Sequence, residues 1–247
     1  MSAGVFVAMA GLAQAQTSDD PFVVPAGRIL VEVDVYETSG QGTDTLNVMP
    51  VLVTYGLNAR TDIGVGFDGY YHERTKMAGV TTTTHDWGDV TLRCKYSLWG
   101  HDNAGTQTGE TAFALLPYVK VPLGLGDSGS DQTEGGLILP FAVTLPVDWS
   151  LVIMTGFDAV ADSTDTGYDF QWVESLVLSR TFSGKISGYL EFYSVLPTEA
   201  GLDWSAQVNV GVYYFFTPDF YFDCGCNFGV TPAAPDVEPF IGLTYLY

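Results

Sequence analysis

The last nine residues, Pro239-Phe240-Ile241-Gly242-Leu243-Thr244-Tyr245-Leu246-Tyr247, constrain the fold more than any other stretch. Alternate side chains of a strand point to opposite faces, so Ile241, Leu243, Tyr245 and Tyr247 share one face while Gly242, Thr244 and Leu246 share the other. One face is oily, the other small and mixed. A chain that stops on an aromatic within such a strand leaves a row of unpaired backbone groups unless the strand is held on both sides. Pairing it with the first strand closes a barrel and removes both edges, which is how a sheet satisfies its backbone in lipid. The aromatic face then looks at lipid and the small face at a lumen.

The composition agrees. Apolar residues make up 47% of the chain and charged residues 15%, against roughly 25% charged in soluble domains, so much of the surface never meets water. Gly and aromatics are plentiful, and no run has the period of an amphipathic helix, which points to an all-β chain. The formal charge of −20 excludes nucleic acid as a partner, because its phosphates would be repelled. Asp127, Asp131, Asp162, Asp165, Glu199 and Asp236 fall in expected loops and read as a solvated acidic rim.

Residues 1–16 read as a secretory signal. Gly4 to Leu12 is a short apolar core, and Ala13-Gln14-Ala15 is an A-x-A site that releases a mature chain near Gln16 or Thr17. No positive stretch precedes the core, which is expected to place the true start upstream. Residues 17–247 are then one outer-membrane barrel domain. Of the three cysteines, Cys224 and Cys226 share a strand face with Phe220, Phe222 and Phe228. That spacing is poor for a mutual disulfide and weak for metal, so both read as lipid-facing hydrophobes.

The rival to a barrel is a membrane helix from Gly135 to Ala161, a length that would span a bilayer with only Asp148 and Asp158 charged. Pro140 and Pro146 interrupt it, and Pro146-Val147-Asp148 is a turn signal between two β-rich runs. The same test along the chain predicts a transmembrane antiparallel up-and-down β-barrel of twelve strands, about the ten residues each that a tilted strand needs. They run over 28–36, 46–56, 61–72, 87–98, 110–122, 134–145, 149–160, 168–181, 185–195, 203–215, 219–229 and 238–247.

Connections alternate in length. Tight turns at 57–60, 146–148, 182–184 and 216–218 alternate with longer links at 73–86, 123–133, 161–167 and 230–237; the link at 99–109 is the exception. Short turns at one rim and longer loops at the other match a bacterial outer-membrane barrel with periplasmic termini. Tyr71, Trp87, Tyr168 and Trp204 on the loop side, and Tyr55, Trp149, Phe220 and Tyr247 on the turn side, are expected to form two aromatic girdles. Face assignment is clean in some strands, such as 28–36 and 87–98, and fails in 168–181, where placing Leu176 and Leu178 in lipid also exposes Glu174, which suggests a bulge or a shifted register.

The segments Gly88-Asp89-Val90-Thr91-Leu92-Arg93-Cys94-Lys95-Tyr96, Ala114-Leu115-Leu116-Pro117-Tyr118-Val119-Lys120-Val121-Pro122-Leu123-Gly124, Leu178-Ser179-Arg180 and Asp223-Cys224-Gly225-Cys226-Asn227-Phe228-Gly229 resemble the MetA-pathway phenol-degradation family of outer-membrane transporters. The resemblance runs from about residue 20 to the C-terminus. It implies a β-barrel with a role in uptake of aromatic or other hydrophobic compounds, and it brings no catalytic or binding residues with it.

A twelve-strand barrel lies between the side-chain-filled eight-strand barrels and open porins, so its lumen should admit small solutes only. Pairing the strands about their connections gathers Asp68, Asp89, Arg93, Lys95 and Lys120 on one inner wall. Glu32, Asp34, Glu191 and Asp223 line other parts. Such a wall either orients a polar solute and sets ion preference or simply holds structural ion pairs. With acids in excess, weak cation preference is expected.

Barrel-embedded lipid hydrolases pair Ser and His on the outer face. Here His72, His85 and His101 fall at strand ends or in connections, and G-x-S-x-G, HExxH and phosphate-loop motifs are absent. The sequence reading is therefore a passive channel, not an enzyme, needing no cofactor and no metal. Its expected partners are outer-membrane lipid and lipopolysaccharide around the wall and a small-molecule solute inside. The alternatives are a structural or plugged barrel without transport and, less favoured, a lipid hydrolase.

Overall fold

The structure, a computed structural model, describes residues 18–40, 43–77, 79–101, 107–123, 132–162 and 166–247; the signal sequence read at 1–16 lies outside them, as do Asp127, Asp131 and Asp165. The described residues form a single antiparallel sheet with no helix: β1 (Ile29–Gly40), β2 (Thr43–Asn58), β3 (Thr61–Phe67), β4 (Tyr70–Met77), β5 (Val80–Trp87), β6 (Val90–Trp99), β7 (Thr111–Val121), β8 (Glu134–Thr144), β9 (Trp149–Ala161), β10 (Tyr168–Ser183), β11 (Ile186–Pro197), β12 (Ser205–Thr217), β13 (Phe220–Gly229) and β14 (Val237–Leu246). One edge of β2 pairs first with β3 and then with β4, while β3 pairs with β6 and β4 with β5. Each of the couples β3/β4 and β5/β6 is thus one wall strand with a break. The ladder carries across the breaks, where the Asp68 N–H donates to the Asp89 carbonyl at 3.0 Å and the Gly88 N–H to the Gly69 carbonyl at 2.9 Å. The wall has twelve strands.

β1 pairs with both β2 and β14, so the sheet closes on itself. Ile29 and Tyr247 exchange both backbone hydrogen bonds, at 3.3 and 2.7 Å. Arg28 clamps this seam: its guanidinium donates to the Tyr247 carbonyl at 3.0 Å, to the Leu246 carbonyl at 2.9 Å and to Asp219 at 2.8 Å. No edge strand remains at the seam to recruit another chain.

The break in β3/β4 faces an irregularity in β2. Pro50 has no N–H to give a neighbour, so a regular ladder fails there. Met49 swings to a φ of 60°, and the register of β2 against β1 shifts between Val33 and Val35. The bulge restores alternation beyond it.

Alternation then sorts the side chains. In β14, Ile241 is 51% exposed and Leu243 48%, while Phe240 and Thr244 are each 4% exposed. In β1, Leu30, Glu32, Asp34 and Tyr36 face inward and are buried. The sequence-based strands are found with altered limits. Residues 73–86, expected as a loop, form the hairpin β4–β5, because the run Val80-Thr81-Thr82-Thr83-Thr84 is β-branched and pairs from Val80↔Met77 to Trp87↔Tyr70. Tyr71 is not part of the outer girdle: it turns inward to hydrogen-bond Tyr36. Tyr70 takes the outward place, its ring 5.0 Å from that of Trp87.

Glu174 faces outward with no bulge beside it, since β10 runs in unbroken register with β9. The expected bulge or shifted register is therefore corrected. Thr155 Oγ1 donates to Glu174 Oε1 at 2.7 Å and accepts from Trp172 Nε1 at 2.8 Å, so the carboxyl is satisfied on the wall itself.

If this face meets lipid, Ile241→Arg should lower stability by about 2–4 kcal/mol and Tyr247→Arg, at the rim, by about 0–1 kcal/mol. Urea unfolding of the barrel in lipid vesicles measures both.

Candidate functional site

The site is the lumen, and its floor is built by the segment that precedes β1. Residues 18–28 precede β1 and turn at Pro25, whose carbonyl accepts from the Arg28 N–H at 3.0 Å. From that turn the segment runs back up inside the wall. Gly56 makes the entry possible, because a Cβ there would lie 2.2 Å from the Pro25 carbonyl oxygen and 2.4 Å from that of Val24. The Gly27 N–H donates to the Gly56 carbonyl at 2.8 Å, and the Val24 N–H to Asp62 at 2.8 Å.

The segment then crosses from β3 and β6 to the far wall. Asp19 Oδ1 accepts from Arg93 at 3.0 Å and lies 3.6 Å from Lys95 Nζ; Asp20 Oδ1 lies 3.5 Å from the same ammonium. Lys95 also donates to the Phe22 carbonyl at 3.1 Å. Beyond them Ser18 bonds Ser175 of β10 and Glu191 of β11. Ser18, Asp19, Lys95 and Glu191 are each at most 1% exposed. Buried charges persist only when paired and hydrogen-bonded, and the segment supplies that pairing.

Below and around it lies an apolar layer. Tyr189, Tyr213 and Tyr221 stand side by side on β11, β12 and β13, with ring centroids 5.6 and 5.8 Å apart, and Phe22 and Phe215 pack against this cluster. Toward the loops lies a charged cluster, where Lys120 Nζ is 3.1 Å from Asp68 and 3.6 Å from Asp89. On the seam side, Asp34 and Asp223 flank Gly242 across β1, β14 and β13. Both carboxylates lean over the space that a Cβ on Gly242 would fill, with oxygens 2.2 and 2.6 Å from it. Glu32 is buried on the same face of β1, and Glu191 Oε2 accepts from Asn209 at 2.9 Å.

The nine residues expected to line the lumen thus divide. Asp68, Asp89 and Lys120 meet in the charged cluster; Arg93 and Lys95 stand on the same stretch of wall but turn to Asp19 and Asp20; Glu32, Asp34, Glu191 and Asp223 lie elsewhere around the interior. Sequence reasoning gave Ser18, Asp19, Asp20 and Phe22 no role. It also missed Asp62, although the alternation Asp62, Gly64, Gly66 against Ile63, Val65, Phe67 marks an inward carboxylate.

The family model described as "Putative MetA-pathway of phenol degradation" matches residues 13–247. The chain belongs to this family. A search of curated proteins returns no match. Solved structures share its fold at low identity. The COG4313 outer membrane channel from Pseudomonas putida F1 has a TM-score of 0.68 at 12% identity, covering 92% of this chain and 98% of that one. The NanC porin has a TM-score of 0.57 at 10% identity, covering 87% and 98%. The transport unit of the autotransporter AIDA-I from Escherichia coli has a TM-score of 0.54 at 7% identity, covering 98% and 96%. A closed barrel of this kind places the family member in the bacterial outer membrane.

In the charged cluster Lys120 is the cation that balances Asp68 and Asp89. Lys120→Gln should raise the cation-to-anion permeability ratio severalfold, read as a shift in reversal potential across a planar bilayer under a salt gradient.

Proposed function

We propose that the protein is an outer-membrane channel for passive uptake of small solutes, aromatic and other hydrophobic compounds among them. The observation that carries this reading is the interior of a closed wall: an ionic cluster of Lys120, Asp68 and Asp89 and, on the turn side, tyrosine rings of the kind that stack with aromatic solutes. Membership of a family named for phenol degradation favours aromatic cargo, and the fold shared with outer-membrane channels favours a pore. A passive pore draws only on a gradient, so it needs no cofactor. Lipid and lipopolysaccharide contact the outward Ile, Leu and aromatic side chains, and residues 17–247 constitute the mature barrel after signal cleavage.

The activity is transport rather than catalysis. His72 and His85 face each other across β4 and β5, with Nδ1 atoms 3.0 Å apart, instead of each lying against a serine nucleophile. The nine lumen residues named from the sequence set ion preference through their excess of acids. A second reading, a plugged barrel that does not transport, is favoured by the segment that crosses the lumen.

Liposome swelling across sugars, amino acids and phenolic acids separates these readings. Entry of small aromatic solutes, with weak cation preference in a salt gradient, is the expected result. Liposomes that neither swell nor conduct support the plugged barrel, and fatty acid released from micelles supports a hydrolase.

A further inference from the structure

We infer that Arg93, Lys95 and the adjoining aromatic layer form a binding site for an aromatic carboxylate, and that Asp19 to Phe22 occupy it as an internal stand-in. This deepens the channel reading and rests on it for the route by which the ligand arrives.

The charge distribution singles the place out. The chain has nine Lys and Arg residues, and two of them point into the barrel from neighbouring inward positions of β6, with side chains 8% and 1% exposed. Two cations placed side by side in a dry interior are costly unless anions meet them. The ion-pair partners closest to them belong to the segment. Asp19 accepts from the guanidinium at 3.0 Å, and Asp20 lies 3.5 Å from the ammonium. Two residues on, Phe22 packs against the apolar cluster to which Tyr189, Tyr213 and Tyr221 belong. A carboxylate on cations, followed two residues on by a ring against an apolar cluster, is the pattern that a benzoate-like acid would present. Arg binds carboxylate in its planar fork, and tyrosine faces take a ring.

The electrostatics make the stand-in displaceable. The charges of Glu32 and Asp62 also reach Arg93, so with the segment docked four carboxylates share two cations. Replacing Asp19 and Asp20 by one monoanion leaves three, which relieves repulsion in a low dielectric. Besides its hydrogen bonds and ion pairs, the segment's short tether keeps an effective concentration on the order of millimolar. Benzoate in that range competes on equal terms. Phenol brings the ring without the charge, and acetate the charge without the ring.

Ser18 is the reporter, being 0% exposed in the docked segment. A Ser18→Cys variant of the full chain, with Cys94, Cys224 and Cys226 replaced by Ala, is folded into detergent and challenged with a water-soluble thiol reagent. Retarded migration of unheated protein in gels certifies the barrel. Benzoate should accelerate labelling roughly tenfold at concentrations matching the tether; phenol and acetate should leave the rate nearly unchanged. Adding Arg93→Gln and Lys95→Gln should remove the response to benzoate. Because those changes remove two cations, an independent arm keeps them in place: Asp19→Asn with Asp20→Asn should bind radiolabelled benzoate in equilibrium dialysis. Labelling that ignores benzoate, that answers all three compounds alike, or that answers benzoate equally without Arg93 and Lys95 overturns the inference, as does absence of binding to the Asp19→Asn, Asp20→Asn protein. Labelling and dialysis require no transport, so a barrel that binds benzoate yet never conducts sinks the channel and leaves the site, and the reverse result does the opposite.

Discussion

Backbone hydrogen bonding in a medium without water is the constraint on which the structure depends. Each unpaired peptide group in hydrocarbon costs several kcal/mol, so a sheet survives there only when its first and last strands meet. That requirement is met where β14 returns to β1. Tyr247 exchanges backbone hydrogen bonds with Ile29, and Arg28 fastens the seam from the rim with three further donations. The same requirement explains the treatment of Pro50. A missing N–H in mid-wall is tolerated because β2 bulges at Met49 and the partner strand breaks opposite, so that pairing resumes on both sides.

Closure creates an inside, and the inside has to be filled or wetted. Twelve strands leave more room than wall side chains alone fill, and the leading segment takes up part of it. Its acids neutralise Arg93 and Lys95, its Phe22 joins the tyrosine layer, and its Ser18 reaches the opposite wall. Above, Lys120 with Asp68 and Asp89 forms a separate ionic cluster that owes nothing to the segment. The lumen therefore holds two ionic clusters, Lys120 with Asp68 and Asp89 toward the loops and Arg93 and Lys95 with the segment's acids toward the turns, the latter beside the tyrosines of β11, β12 and β13.

The wall was legible from the sequence because lipid and lumen impose a two-residue period that local sequence carries. β1, β6 and β14 show it plainly, and Glu174 showed it too: the register was sound, and the anomaly lay in a hydrogen bond from Thr155 that no periodicity reveals. The hairpin β4–β5 was missed because its polar threonines carry strand propensity without a hydrophobic face. The segment at 18–24 was missed for a different reason. Its contacts join residues up to 173 positions apart, and nothing local distinguishes a short acidic linker in solvent from one folded into a lumen. Tyr71 illustrates the same limit, since one residue decides whether a ring faces lipid or lumen.

The meeting of β1 with β14 is the claim on which the rest stands, and cross-linking across that seam tests it most directly. Val33 pairs with Leu243, so Val33→Cys with Leu243→Cys, in a chain whose native cysteines are replaced by Ala, should form an intramolecular disulfide under mild oxidation in outer-membrane vesicles while the barrel keeps its gel migration. A control pair shifted to Val33→Cys with Tyr247→Cys should not. Failure of the Val33–Leu243 pair to cross-link in folded protein, or equal cross-linking of both pairs, would contradict a closed wall with this register.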